Sequence, residues 1–198
     1  MRRHARPTGV GQVGNRRYGR REWERPPYRS LFCGEGCVRI RLMETCPVRS
    51  ELRRARAADV PAIYELIRHF ADRDAMLPRS LNELYENLRD YLVAACGEEV
   101  VGCCALHVMW GDLAEVKGLA VREDHQREGL GGRLVQTCLE EARELGMPRV
   151  FVLTYIPDYF ARFGFRQVDK SELPQKVWAE CIRCPKFPDC GEVSMVLE

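Results

Sequence analysis

No stretch of this sequence approaches the roughly 18 consecutive apolar residues of a membrane-spanning helix. The N-terminal residues lack the apolar centre of a secretory signal. A membrane partner and an extracellular location are set aside on these grounds, and a cytoplasmic protein is expected. No internal repeat is visible. Lysine is missing from residues 1–50, which hold twelve arginines against four glutamates, a net charge of +8. The other 148 residues carry 19 basic and 25 acidic side chains, a net charge of −6. A basic head is thus joined to an acidic body.

The 198 residues, 45% hydrophobic and 30% charged, suit one soluble domain with a sizeable core. Ten cysteines are many for this length. Without a secretion signal they read as buried thiols, metal ligands or redox groups rather than a disulfide framework.

The head, "MRRHARPTGVGQVGNRRYGRREWERPPYRS", shows neither helical nor strand periodicity. It offers too little apolar surface to offset its ordering entropy, so residues 1–50 are expected to be a disordered basic extension. Tyr18, Trp23 and Tyr28 interleave with arginines as if to stack on nucleic acid. A solvated tail explains the same composition and is the preferred reading, and a transit peptide would need an amphipathic pattern that is missing. The functional polypeptide is expected to start near Met43, with residues 1–42 dispensable.

Residues 51–198 read as strand, two helices, three strands, helix, strand, helix, strand, strand. Asp59 stands as N-cap before Val60, Ile63, Leu66, Ile67 and Phe70 at helical spacing. Ser80 and Glu83 form a capping box for a helix whose apolar face is Leu81, Leu84, Tyr85 and Leu88. Gly97, Glu98 and Glu99 join two strands as a hairpin. Leu130, Leu134, Val135, Cys138, Leu139 and Ala142 face inward on a helix ended by Gly146. The fold class is α/β (α+β), with a single central mixed sheet and flanking helices.

"HQREGLGGRLV", residues 125–135, is the most informative stretch. A P-loop needs a Gly-Lys-Ser/Thr ending, and no lysine follows here. A dinucleotide fingerprint fits Gly129 and Gly131 but meets Leu134 at its third place. An anion site remains: a strand ending near Val121, glycines that let N–H groups approach a ligand, and a helix N-terminus with Arg127 and Arg133 nearby. A glycine-rich turn that merely starts a helix is the bland alternative.

"QREGLG" (126–131) matches Q/R-x-x-G-x-G/A, and the sequence resembles the GNAT acetyltransferase superfamily there. "EVKGLAVRED" is similar to that superfamily's bulged fourth strand, and "YFARFGF" (159–165) to the helix-to-strand turn that follows. The resemblance implies acetyl-CoA as donor. The N–H groups of Gln126, Arg127, Glu128, Gly129, Leu130 and Gly131 would hold its pyrophosphate. Backbone groups of Leu119, Ala120 and Val121 would pair with the pantetheine arm and help polarise the thioester carbonyl.

The same resemblance places Glu115 as the base, against a reading as a solvent-facing strand carboxylate. The superfamily's tyrosine position four residues before the glycine of the G-F turn is Phe160 here, which leaves the acid unassigned: Tyr159 or Tyr155 could substitute, or the thiolate could leave into solvent. "MLPRSLNELYENLRDYLV", "GCCALHVMWGDLAEVKGLAVRED" and "DKSELPQKVWAECIRCPKFPDC" together resemble the short, single-domain bacterial N-acetylglutamate synthases. That implies acetylation of the α-amino group of glutamate, or of glutamine, in arginine biosynthesis. Arg79 is the first candidate for an acceptor carboxylate because its planar fork matches one, and the helix start beside it also favours anions. Lys117 and Lys176 come next, Lys176 reading rather as a solvated charge. His107 reads as a packed core residue. A homodimer is the expectation for this superfamily.

"CIRCPKFPDC" spaces Cys181, Cys184 and Cys190 as C-x2-C-x5-C. The C-x-x-C start is a common half-site for structural zinc, with no evident fourth ligand beyond Cys103, Cys104 or His107. A Cys181–Cys184 redox pair and three plain reduced thiols stay open beside it. Cys33 and Cys37 in the head are assigned nothing. Two other functions stand beside the amino-acid acetyltransferase. One is acetylation of a protein lysine or N-terminus; the other is nucleic-acid binding by the basic head with a degenerate catalytic domain.

Overall fold

The longest amphipathic stripe in the sequence forms a helix. In this computed structural model, which describes residues 50–198 except 175, 177–179 and 185, helix α3 spans Leu130–Glu144. Its six expected inward residues, from Leu130 to Ala142, are all buried. Burying each large aliphatic among them stabilises the fold by about 1.5–3 kcal/mol. Gly146 follows at φ +72°, a conformation that glycine adopts without a Cβ clash. The expectations for the head, for Met43 and for Cys33 and Cys37 lie outside the described residues.

The remaining elements follow the expected order. They are β1 (Glu51–Arg54), α1 (Val60–Ala71), α2 (Leu81–Glu86), β2 (Tyr91–Cys96), β3 (Glu99–Trp110), β4 (Leu113–Val121), β5 (Arg149–Thr154), α4 (Pro157–Ala161), β6 (Arg166–Val168) and β7 (Val193–Leu197). The strands form one seven-stranded sheet in the order β1-β2-β3-β4-β5-β7-β6. Among the described residues only the β4–β5 pair is parallel; every other neighbour is antiparallel. The sheet is therefore mixed. Side chains alternate between its two faces. Leu92, Ala94, Leu106, Ala114 and Val116 pack against α3, while Tyr91, Val93, Cys103 and Ala105 pack with Val60, Ile63 and Ile67 of α1.

Two local expectations need correction. Asp59 does not cap α1 through its side chain; it ends a 3-10 turn, Ala57–Asp59, with helical backbone of its own. Its carboxylate instead takes two bonds from Arg53, at 2.7 and 3.0 Å, and the Arg56 N–H at 2.7 Å. That pairing holds it below the usual carboxylate range, the Arg53 bond outweighing burial. On α2, Leu84 alone is buried, whereas Leu81 and Tyr85 are 44% and 49% exposed. A helix of six residues turns too few side chains toward the sheet to bury a full stripe.

Candidate active site

The sheet opens where its single parallel pair parts. β4 meets β5 only at Leu113–Arg149, Ala114–Val150 and Glu115–Phe151. On its other edge β4 bulges: Cys103 faces Ala120 and Ala105 faces Lys117, so Gly118 and Leu119 stand opposite Cys104 alone. Gly118 sits at φ +63°, and a Cβ there would lie 3.2 Å from the Tyr91 hydroxyl. Both the backbone angle and the close approach call for glycine. The divergence widens into a cleft of about 1270 Å³, lined by the glycine turn and by Arg79, Glu115, Lys117, Lys176 and Glu180.

The glycine turn offers backbone amides. Arg127 and Gly129 both have left-handed backbones, φ +66° and +78°. Among the described residues no backbone carbonyl takes the N–H of Arg127, Glu128, Gly129, Leu130 or Gly131. The positive end of α3 adds to the same spot. A Cβ on Gly129 would meet nothing within 4 Å, so a ligand can approach there. Leu130 is buried and has only its amide to give. The Glu128 carboxylate turns toward His125, 3.7 Å away. These residues fit a pyrophosphate.

Two members of the expected set behave otherwise. The Gln126 amide already donates to the Glu123 carbonyl at 3.3 Å, and its side chain donates to the Val121 carbonyl at 2.9 Å. Gln126 thus braces the turn against β4. Arg133 reaches away to Ser50, bonding its carbonyl at 3.2 Å and its hydroxyl at 3.4 Å, so its guanidinium is engaged outside the turn.

The opposite wall is built from side chains. Glu115 is 3% exposed, which overturns the solvent-facing alternative. Lys176 Nζ lies 2.8 Å from its Oε2, and Lys117 Nζ 3.8 Å from the same oxygen. Lys176 is 4% exposed, so it is a buried partner and not a solvated charge. Glu180, which no spacing in the sequence singles out, accepts from Lys176 at 2.6 Å and Lys117 at 3.5 Å, and lies 3.9 Å from Arg79. Burial pushes the Glu180 carboxyl up, but Lys176, Lys117 and Arg79 together hold it down at about 2. Burial lowers Lys117 despite its acidic neighbours. For Lys176, Glu115 and Glu180 outweigh the same burial and raise it.

Arg79 lies in the cleft as expected, but the helix start beside it is not a free anion site. α2 is short, and its capping box is closed on itself: Glu83 N–H donates to Ser80 Oγ at 3.2 Å, and Ser80 N–H to the Glu83 carboxylate at 2.7 Å. His107 also differs from expectation. It is half-buried, lines the cleft and sits 2.5 Å from Asp90 through Nδ1.

Of the two tyrosine candidates, Tyr159 faces the glycine turn: a Cβ on Gly131 would lie 2.8 Å from its hydroxyl. Burial raises its pKa, so the hydroxyl keeps its proton. Tyr155 instead accepts from Lys186 at 3.3 Å. Phe160 is a core side chain, 3% exposed.

Cys181, Cys184 and Cys190 are half-buried free thiols on the cleft rim. Among the described residues, no group of three or more His, Cys, Asp or Glu is gathered to hold a metal ion, which removes structural support from the zinc reading. Burial pushes the Cys181 thiol up, opposite to what a reactive redox thiol needs. Cys103, Cys104 and Cys138 are buried thiols, Cys103 raised by burial to about 12.

Parting strands beside a bulge, with free amides at the start of the next helix, define an N-acyltransferase of GNAT fold. The Acetyltransferase (GNAT) family matches residues 57–165, and the chain belongs to that family. An amino-acid acetyltransferase of Mycobacterium tuberculosis is 39% identical over 138 residues, covering 68% of this chain and 79% of that protein. An uncharacterized N-acetyltransferase of Chlorobaculum tepidum is 39% identical over 145 residues, 73% of this chain and 94% of its own. A Mycobacterium tuberculosis structure in complex with CoA and NLQ superposes with TM-score 0.65 at 34% identity, covering 74% of this chain and 98% of its own. An N-acetylglutamate synthase from Neisseria gonorrhoeae complexed with coenzyme A and N-acetyl-glutamate gives TM-score 0.65 at 26% identity, covering 75% of this chain but 35% of that longer one. The coenzyme in both relatives agrees with acetyl-CoA as the donor here.

Proposed function

We propose that the protein acetylates the α-amino group of glutamate or glutamine from acetyl-CoA, the entry step of arginine biosynthesis. One observation carries the reading: Arg79, Lys117 and Lys176 converge beside Glu115 in the cleft that also holds the glycine turn. Three cations at the reacting end suit an acceptor that bears carboxylate. A lysine side chain or a protein N-terminus would bring positive charge to that centre and no carboxylate for its three cations, so the protein-acetylating alternative is disfavoured.

The amides of Arg127 to Gly131 bind the donor's pyrophosphate, and β4 from Leu119 to Val121 lies along the pantetheine arm. Both lysines reach Glu115 at Oε2, leaving Oε1 to take a proton from the acceptor ammonium. The freed amine nitrogen attacks the thioester carbon; a C–N bond forms, the C–S bond breaks, and coenzyme A leaves as a thiolate. Tyr159 donates a proton to that thiolate and recovers one from the new amide nitrogen through water. The test is coenzyme A release with glutamate, glutamine, other amino acids and a lysine peptide. Turnover confined to glutamate or glutamine is expected. Turnover with the peptide alone would overturn the reading.

A further inference from the structure

The acceptor wall contains a carboxylate that the proposed chemistry does not use. Glu180 lies 2.6, 3.5 and 3.9 Å from Lys176, Lys117 and Arg79, the same three cations that would meet an acceptor's carboxylates. We infer that Glu180 is a specificity-determining residue: a resident carboxylate that fills the place of a second acceptor carboxylate and favours an acceptor carrying only one. The inference rests on the amino-acid reading above and adds the charge of the preferred acceptor.

Local pairing supports it: Glu180 already places one negative charge against Arg79, Lys117 and Lys176. Glu83 stands 3.8 Å from Arg79, but it is half-exposed and already closes the capping box. Solvent screens its contribution. Glu192 shares the cleft, and burial pushes its carboxyl toward the neutral form. Glutamine and glutamate share the α-carboxylate and the amine, and differ only in the further negative charge on the glutamate side chain. A glutamate side-chain carboxylate would meet Glu180 at close range, and like charges there repel. A carboxamide N–H can instead donate to Glu180.

The experiment compares kcat/KM for glutamine and glutamate, at saturating acetyl-CoA, in the wild type and in Glu180→Gln. Glutamine is expected to be the better wild-type acceptor, and the substitution to raise the glutamate-to-glutamine ratio about tenfold or more. Glu83→Gln, which removes an equal charge at the rim, is expected to move that ratio less than about twofold. An unchanged ratio in a Glu180→Gln enzyme that still turns over glutamine overturns the inference and leaves the amino-acid reading standing. Absence of turnover with any free amino acid in the wild type overturns both. If Glu180→Gln fails to fold, the wild-type preference decides: a better rate constant for glutamate than for glutamine overturns the inference.

Discussion

The two walls of the cleft are built in different ways. The wall formed by the glycine turn presents backbone amides from one run of residues, fixed by the bulge in β4 and by the first turn of α3. The facing wall presents five charged side chains: Arg79 ahead of α2, Glu115 and Lys117 on β4, and Lys176 and Glu180 in the stretch before β7. Amides set by the fold can hold the part of a donor that never changes. Side chains drawn from separate elements can be altered one at a time, so the second wall is where specificity is adjusted. Substitutions on one wall should therefore leave the other wall's ligand nearly untouched.

Glu115→Gln should have the largest effect. It removes the proposed base and keeps its shape, so kcat is expected to fall by about 10²–10⁴-fold while acetyl-CoA affinity, measured by calorimetry, stays within a factor of two or so. A comparable loss of acetyl-CoA binding would show that the walls are coupled through β4. Arg79→Ala comes next. The acceptor KM is expected to rise about 10- to 100-fold, with acetyl-CoA KM little changed. An effect on kcat alone would place Arg79 outside acceptor binding.

The complementary test strikes the amide wall. In Gly131→Ala the new Cβ would fall 2.8 Å from the Tyr159 hydroxyl, whereas in Gly132→Ala it would stand 3.7 Å from Phe163, an ordinary contact. Gly131→Ala should raise acetyl-CoA KM about tenfold by displacing Tyr159 across the donor groove. Gly132→Ala should change it little. Equal effects of the two would mean that the helix start, not the space above it, limits donor binding.

How much of each wall was legible in the sequence follows from the same difference. "QREGLG" lies in one contiguous run, so the turn and the start of α3 are legible directly, while the bulge in β4 is legible only through the resemblance. What could not be read was where the side chains of that run go: Arg133 turns to Ser50, and the Gln126 amide is satisfied within the turn. On the other wall, Arg79, Glu115 and Lys117 were identified one by one. Their convergence depends on tertiary packing, which leaves no local pattern. Lys176 and Glu180 stand four apart, a spacing that suggests a solvated helical pair as readily as a buried one. Lys176 is buried against Glu115 of β4, while Glu180 beside it stays partly exposed. His107 was misread because Asp90, its partner, lies 17 residues away at the foot of β2.

A smaller effect concerns acid stability. A carboxyl whose folded pKa is depressed contributes stability above its unfolded value, and that contribution is lost as pH falls through the folded value. For Glu180 the window runs from the ordinary 4.5 down to about 2. Tm should fall across that window in the wild type more steeply than in Glu180→Gln, with a constant difference between the two above it. Parallel curves throughout would show that the three cations do not hold Glu180 in solution.

The smallest effect asks whether α2 positions the acceptor wall at all. Ser80→Ala opens the capping box and should cost about 1 kcal/mol, seen as a Tm lower by roughly 2–4 °C for a domain of this size. Arg79 directly precedes Ser80, and Glu83, freed from the Ser80 hydroxyl, stays 3.8 Å from the guanidinium. Two anchors then compete for Arg79: the helix start, which the substitution loosens, and the pairing with Glu83 and Glu180, which it leaves intact. If the helix start matters, acceptor KM should rise two- to threefold or so along with the Tm loss, with acetyl-CoA KM unchanged. A lower Tm with an unaltered acceptor KM would assign the position of Arg79 to its carboxylate partners. The acceptor wall would then be an ion-pair network that holds its own geometry.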